Sequence, residues 1–349
     1  MQNPDLSPMT SERDLIAAAR DGDESAFRRL VEPHRANLHA HCYRMLASLH
    51  DAEDALQEAL LRAWRGLARF EGRSTVRTWL HRIATNVCLD AIRKRPKRVL
   101  PVDYGPSVDA GGEESNVPVD PGVWIDPYPD ADLSVEDGYA APEARYEQRE
   151  AIELAFIAAV QFLPPRQRAM LILRDVLGFS AKETTEVMET TVTASNSLLQ
   201  RAREAVEERL PGRSQQATLR ELGDARVREV VDRFVDAFEH GDVDAILAML
   251  TDDATFGMPP IPSWTRGRDA VGESWLMPSE LPTGLRYAAT SANGQLAVGA
   301  YRFAEDGNIY RPIALDVLTL RDDGQITDVL AFRTPEIFPT FGLAPEIPG

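Results

Sequence analysis

The sequence predicts a multidomain protein with two all-α parts followed by an α+β part. A length of 349 residues suits two or three domains of ordinary size. In two separate stretches apolar residues recur every three or four positions, as on helices, and a segment rich in proline and acid separates them. Toward the carboxyl end, apolar and polar residues alternate instead, as on strands.

These patterns divide the chain into five segments, whose names are kept below. We expect a disordered N-terminus at 1–10, an N-terminal bundle at 11–98, an acidic linker at 99–142, a helix-turn-helix segment at 143–212 and a C-terminal domain at 213–349. The linker boundary rests on composition, because residues 101–142 hold seven prolines, ten acids and neither Lys nor Arg.

The charge is distributed very unevenly along the chain. The net charge is −17, which would argue against nucleic-acid binding if it were spread evenly. Residues 62–98, however, hold eleven basic residues and two acidic ones, a local excess typical of a phosphate-contacting surface.

Other features of the sequence concern metals and membranes. Cys42 and Cys88 lack metal-ligand spacing, so we expect two buried thiols, no metal and no cofactor. No apolar run is long enough to span a membrane and no signal peptide is evident, so we expect no membrane contact and a cytoplasmic protein.

The first candidate surface belongs to a helix over 51–69. Its apolar stripe runs through Leu56 and Ala63 to Leu67 and predicts a core face. The opposite face carries a leucine among polar residues, which favours a protein-docking surface formed by Asp54, Gln57, Glu58 and Leu61.

The second candidate surface is basic. Between Thr78 and Arg95 one helical stripe is apolar, while another face gathers three polar residues within roughly 40°, namely Arg82, Asn86 and Arg93. The preceding loop is small and polar, as a loop that holds an unstacked base would be, and includes Arg73, Ser74 and Thr75. A merely solvated charged face is the alternative.

The third candidate surface is a helix-turn-helix. Ser180 and Glu183 have capping-box spacing, a turn is expected at 189–191, and a longer helix follows from Val192 to Leu210. We expect short polar side chains to face base edges and two arginines to face phosphate; these are Thr193, Asn196, Ser197 and Gln200, with Arg201 and Arg203. A plain helical hairpin is the alternative.

Long ordered motifs now point to a family. DAEDALQEALLRAW, FEGRSTVRTWLHRIATNVCLDAIRKR and LPPRQRAMLILRDVLGFSAKE, with NSLLQRAR after the turn, resemble regions 2 and 4 of the extracytoplasmic-function (ECF) sigma factors of bacterial RNA polymerase. WIDPYPD and PEARYEQREAIELAF resemble the actinobacterial subgroup that carries an additional SnoaL-like domain. FVDAFEHGDVDAILAMLTDDATF, WTRGRDAV and ITDVLAF are similar to such an NTF2-like cone.

The resemblance implies a role for each surface. The face with Asp54 and Leu61 would dock on the clamp helices of the polymerase β′ subunit, within a core enzyme that also includes β. The face with Asn86 and the loop 73–75 would open and read the minus-10 element, and the face with Asn196 and Gln200 would read the minus-35 element. The acidic linker would thread toward the active centre. Ser195 departs from the pattern, because such helices usually carry an apolar residue there.

The C-terminal domain leaves three roles open: an enzyme, a ligand sensor, or a regulatory module that packs on the sigma domains. Related isomerases place a general base three residues after the Thr of an ADDAT-like phrase, and here that position is Met258. We expect an apolar pocket formed by Phe256, Met258, Trp264 and Trp275. Asp316 is the only acid in the central strand, and the pattern allows it to face either the pocket or solvent.

From these observations we predict a sigma factor without catalytic activity, regulated intramolecularly by its C-terminal domain. The aromatic tail residues Phe338 and Phe341 are expected to hold that domain in place. A SnoaL-type enzyme or ligand sensor fused to a DNA-binding module, and a repressor that acts without polymerase, are the alternatives.

Overall fold

A computed structural model describes residues 11–108, 117–132, 150–275 and 284–349 of the chain. The expected N-terminal disorder at 1–10 and parts of the expected linker lie outside these residues. None of the described helices is both long and apolar enough to cross a membrane.

The N-terminal bundle is helical, with α1 to α5 at Glu12–Arg20, Glu24–Val31, Arg35–Leu46, Leu49–Gly66 and Val76–Ile92. Side-chain caps define where its helices begin: Ser48 accepts a hydrogen bond from the Asp51 amide, and Thr75 accepts one from the Thr78 amide. The core lies between α3, α4 and α5, where Cys42 and Cys88 are both fully buried.

The helix-turn-helix segment continues the helical pattern, with α7 to α10 at Leu154–Gln161, Pro165–Leu171, Ala181–Met188 and Val192–Glu207. Between α8 and α9 the chain makes a π-helical turn over Ile172–Val176. The predicted capping box is present, because the Ser180 hydroxyl accepts from the Glu183 amide and the Glu183 carboxylate accepts from the Ser180 amide.

The C-terminal domain is α+β, as predicted. Its helices α11 to α13 span Gln215–His240, Val243–Met249 and Arg268–Trp275. Its strands β1 to β7 span Leu250–Gly257, Trp264–Arg266, Leu285–Ala292, Gln295–Ala304, Ile309–Leu320, Ile326–Phe332 and Ile347–Pro348. The sheet order is β2-β1-β6-β5-β4-β3, with β7 on β5; only β1 and β6, among the described pairs, run parallel.

The two faces of this sheet have different neighbours. Its inner face packs against α11 and α12 through residues such as Phe234, Ile246 and Leu318. Its outer face shares one continuous apolar core with the N-terminal bundle and the helix-turn-helix segment. The outer face therefore positions the N-terminal bundle and the helix-turn-helix segment, while the inner face stabilises the C-terminal domain itself.

The linker differs from the extended chain that its composition predicts. Helix α6 at Pro101–Tyr104 lies in it, and Trp124, Ile125 and Tyr128 are buried. Val99 pairs with Trp124 in an isolated β-bridge, and the Arg98 guanidinium donates to the Trp124 carbonyl at 2.7 Å. An acidic, proline-rich composition favours an extended and solvated chain. The linker packs against the domains instead, because it also contains these large apolar side chains.

Candidate nucleic-acid and protein interfaces

The predicted docking face lies on the solvent side of α4. Leu61 is 41% exposed, although it is a large apolar side chain on a helix whose other face is buried. Its neighbours make only local contacts: Gln57 donates to Glu53 at 3.0 Å and Glu58 pairs with Arg62 at 2.6 Å. Asp54 is exposed beside them, so the four predicted residues form one surface.

The predicted minus-10 surface lies on α5 and the loop before it. Asn86 and Arg93 are exposed and Arg82 is half-buried. Arg93 pairs with Asp90 at 3.3 Å, and in the loop Arg73 pairs with Glu71 at 2.5 Å. Ser74 is half-buried and Thr75 is exposed, although the Thr75 hydroxyl already caps α5.

The predicted recognition helix is α10. Its exposed residues include all six that the sequence predicted, namely Thr193, Asn196, Ser197, Gln200, Arg201 and Arg203. Arg203, however, forms a two-bond ion pair with Asp175, at 2.8 and 2.7 Å. Because this pair fixes its guanidinium inside the helix-turn-helix segment, Arg203 is less suited to a phosphate than its exposure indicates.

Ser195 is fully buried, and its hydroxyl donates to the Met170 sulfur at 3.1 Å. The position thus faces α8. The polar substitution is accommodated by a neighbour that accepts a weak hydrogen bond.

The N-terminal bundle and the helix-turn-helix segment pack directly on each other. Helix α9 lies against α5, where the Arg77 guanidinium donates to the Leu177 carbonyl at 2.6 Å and stands 4.2 Å from the Phe179 ring centre. Thr78 donates to Glu183 at 3.4 Å. The beginning of α5, next to the predicted base-holding loop, is therefore covered by the helix-turn-helix segment.

A buried arginine also crosses this boundary. Arg168 is 4% exposed and donates to the Met45 carbonyl at 2.5 Å and to the Gln161 amide oxygen at 2.6 Å. All of its described hydrogen bonds end on neutral oxygens, and burial lowers its pKa to about 10. A buried cation held in this way is costly, which weakens the packed arrangement relative to an apolar contact.

The turn between β3 and β4 inserts into the junction of all the segments. Asn293 has a φ of 55° and is fully buried. Its amide nitrogen donates to the Ile152 carbonyl at 2.7 Å and to the Tyr43 hydroxyl at 3.1 Å, while its amide oxygen accepts from the Tyr128 backbone at 2.7 Å. One side chain therefore contacts the bundle, the linker and the start of the helix-turn-helix segment.

A second junction lies at the beginning of α11. The Glu153 carboxylate accepts from the backbone amides of Gln215 at 3.0 Å and Gln216 at 2.8 Å. Glu153 is 4% exposed, and burial raises its pKa to about 7. A residue of the helix-turn-helix segment thus caps the first helix of the C-terminal domain.

The C-terminal tail contacts the outer face of the sheet. Phe338 is fully buried and meets Tyr301 edge to face at 5.1 Å. A Cβ on Gly299 would lie 2.5 Å from the Leu343 side chain, so a larger residue there would require the tail side chains to shift. Ile337 and Thr340 of the tail line a groove together with bundle residues, which places the tail between the sheet and the bundle.

The residues of the predicted apolar pocket do not all lie on one side of the sheet. Phe256 and Met258 lie on the inner side of the cone, but the Trp264 indole donates to the Gly105 carbonyl of the linker at 2.8 Å and does not face the interior. Strand alternation alone could not show which side of β2 faces inward. The Trp275 side chain lies outside the described residues.

The base of the cone is filled. The cavity enclosed there by Phe234, Phe256 and neighbouring side chains has a volume of about 10 Å³, room for about one water molecule. Asp316 is 6% exposed rather than facing solvent, and burial raises its pKa to about 7. Among the described residues no cluster of His, Cys, Asp or Glu is arranged to hold a metal.

Family models match most of this architecture. Sigma-70 region 2 matches residues 30–98, Sigma-70 region 4 matches 153–206, and a SnoaL-like domain matches 231–329. These matches and the α+β sheet confirm the predicted fold class.

Relatives match along most of the chain. It is 41% identical over 330 residues to the ECF RNA polymerase sigma factor SigG of Mycobacterium tuberculosis, covering 94% of this chain and 85% of SigG. It is 29% identical over 197 residues to the ECF RNA polymerase sigma factor SigW of Bacillus subtilis, covering 56% of this chain and 94% of SigW.

A solved structure is also similar. The crystal structure of the M. tuberculosis extracytoplasmic function sigma factor SigJ has a TM-score of 0.49 and 24% identity, covering 89% of this chain and 97% of SigJ. The identity to SigG along nearly the whole length, with all three domain matches in order, settles the family. The chain belongs to the ECF RNA polymerase sigma factors that carry a SnoaL-like domain after region 4.

Proposed function

We propose that this chain brings core RNA polymerase to a specific set of promoters, with its three exposed surfaces in the roles that the sequence predicts. The face of α4 with Gln57 and Leu61 binds the β′ clamp, the face of α5 opens the minus-10 element, and α10 reads the minus-35 element. The observation that carries this proposal is the exposure of these side chains on helices whose opposite faces are buried. Such a role places the protein in the cytoplasm, with the chromosome.

We further propose that the free chain is closed and that the C-terminal domain holds it closed. The names of the two promoter elements imply a separation of about 25 base pairs, or about 85 Å at about 3.4 Å per base pair. Helices α5 and α9 instead pack in contact, with Arg77 over Phe179. Regions 2 and 4 must therefore separate before the factor can contact both elements.

The contacts of the C-terminal domain support this closing role. Asn293 joins the bundle, the linker and the start of region 4, and Glu153 ties region 4 to α11. A tethered domain meets its target at an effective concentration of roughly millimolar, so even weak contacts are maintained. Polymerase binding then competes with closure by linkage.

We assign the C-terminal domain no catalytic role. The filled base of the cone supports packing rather than turnover of a small molecule, and Met258 occupies the position of the isomerase base. The contrary observation is the buried Asp316, whose pKa of about 7 suits proton transfer. Turnover of a steroid or polyketide by the full chain, lost in Asp316→Asn, would contradict this assignment.

In vitro transcription over a random promoter library tests the main proposal. We expect core enzyme with the full chain to initiate at sites that share two conserved elements, and the fragment 1–212 to use the same sites with a different core affinity. Absence of initiation with core, or no co-purification with it, would favour a repressor. Equal affinity and efficiency of the two proteins would refute the closing role of the C-terminal domain.

A further inference from the structure

A large cavity lies between the domains, outside the cone. Its volume is about 730 Å³, within the range of small-molecule sites. Its walls come from helix α7, from the linker and from the outer face of the sheet, through Leu154, Ala155, Ala158, Phe162, Leu100 and Leu330. The walls are therefore mainly apolar, as a ligand with an apolar body requires.

Charged groups surround these apolar walls, and carboxylates are in excess. The cations are Lys97, which lies over Phe162, and the lining residues Arg209, Arg213 and Arg321. The carboxylates on the lining or paired with its arginines are Asp103, Glu153, Glu221, Asp322, Asp323 and Asp328. With Arg220, whose charge acts on Glu153, six carboxylates stand against five cations, so the local charge of this cavity is slightly negative.

The lining arginines are already paired. Arg209 lies 3.7 Å from Asp103, Arg213 pairs with Glu221, and Arg321 pairs with Asp323. No described ion pair, in contrast, includes the Glu153 carboxylate, which accepts the two backbone amides of α11. The nearest cation that acts on it is Arg220, which pairs with Glu150 at 3.2 Å. Each carboxylate oxygen has a second lone pair, so Glu153 retains acceptor capacity.

Because Glu153 is buried, its ionised form would be stabilised by a positive charge placed beside it. It is 4% exposed, and its pKa is raised to about 7 because the ionised form is poorly solvated. An ammonium group at this carboxylate would replace the missing solvation, whereas an anion would meet repulsion.

We propose that this cavity binds a small organic cation with an apolar body, its ammonium group at the Glu153 carboxylate and its body along Leu154, Ala158 and Phe162. The site is distinct from the interior of the cone, whose base is filled. Primary alkylamines of about ten carbons have both chemical features.

Binding at this site has a consequence for the closed state, which rests on the function proposed above. The walls belong to region 4, the linker and the C-terminal domain, so the complete cavity exists only while these segments remain packed. A ligand that requires the complete cavity stabilises the closed chain and lowers its affinity for core polymerase.

Isothermal titration calorimetry on the full chain without polymerase tests the site, with n-decylamine as the probe and 1-decanol as the neutral comparison. We expect wild type to bind the amine at least tenfold more tightly than the alcohol. Glu153→Gln should abolish this preference, and Ala155→Phe, which fills the cavity from a partly exposed wall position, should weaken both ligands at least tenfold. The matched control is Glu305→Gln, an identical change at an exposed turn, which should alter neither affinity.

Equal affinity of wild type for the two probes would overturn the proposal, as would unchanged amine binding in Ala155→Phe. If circular dichroism shows that Glu153→Gln does not fold, the proposal is still tested by the amine and alcohol affinities of wild type and by those of Ala155→Phe. Absence of amine binding would also overturn the proposed site. It would leave the sigma-factor function untouched, because the assay contains no polymerase. Amine binding that leaves core affinity unchanged would refute only the coupling to closure.

Discussion

Replacing Asn293 by glycine tests the closing role of the β3–β4 turn. Asn293 has a positive φ, so alanine would add backbone strain, whereas glycine adopts this conformation freely and removes only the amide. The loss concerns three buried hydrogen bonds, to Ile152, Tyr43 and Tyr128. At about 0.5–1.5 kcal/mol each, they contribute about 1.5–4.5 kcal/mol to the closed arrangement.

This free energy predicts a measurable gain in polymerase affinity. Since each 1.4 kcal/mol changes an equilibrium about tenfold, the open fraction should rise by about tenfold or more until the open form dominates. Fluorescence anisotropy of labelled protein titrated with core enzyme should show a corresponding rise in affinity for Asn293→Gly.

A matched control exists in the same domain. Asn308 also has a positive φ, of 47°, but it is exposed in the β4–β5 turn, so Asn308→Gly should leave core affinity at the wild-type value. If Asn293→Gly lowers the melting temperature but binds core like wild type, the amide stabilises the C-terminal domain alone. The reasoning about closure would then be wrong.

Three further predictions concern the surfaces and the buried carboxylate. The double variant Gln57→Ala, Leu61→Arg should remain folded by circular dichroism yet lose core binding in a pull-down, because neither residue is in the buried stripe; retained binding would exclude this face. Gln200→Ala should cost about 1–3 kcal/mol of promoter-binding free energy at one minus-35 position. Arg201→Ala should weaken binding to all promoters alike and reduce the salt dependence of binding. Equal losses for the two variants across a promoter panel would contradict this division. The pKa of Glu153 in the folded chain is about 7, which is above that of glutamate in the unfolded chain. As pH falls from 8 to 6, Glu153 therefore takes up a proton in the folded chain only. The unfolding free energy of wild type should rise by about 1.4 kcal/mol relative to that of Glu153→Gln. Buried imidazoles shift the pH dependence in the opposite sense in both proteins and cancel in this comparison, and denaturant melts showing equal pH dependence would refute the assignment.

Local features of the fold were predictable because they depend on short-range physics. The capping box at Ser180 and Glu183 has a strong sequence signal, and the structure has it. The exposure of Leu61 followed from helical periodicity in the same way. The functional roles of the exposed residues remain predictions.

The contacts between domains were not predictable from one sequence. Periodicity shows which face of a helix or strand is buried but not what covers it, and Trp264 was therefore placed in the cone although it bonds to the linker. Asn293 and Gly294 have the sequence of an ordinary hairpin turn, and nothing local marks the asparagine as buried. The exposed Arg203 likewise gave no sign of its pairing with Asp175.

The distance between regions 2 and 4 in the free and polymerase-bound chain tests the central claim most directly. Dyes at the exposed positions Glu71 and Lys182 would report it, since they flank the α5–α9 contact. We expect high single-molecule energy transfer in free full-length protein, low transfer on core enzyme, and a shift toward low transfer in free Asn293→Gly. Low transfer in the free wild-type chain, or the same transfer with and without core enzyme, would contradict it.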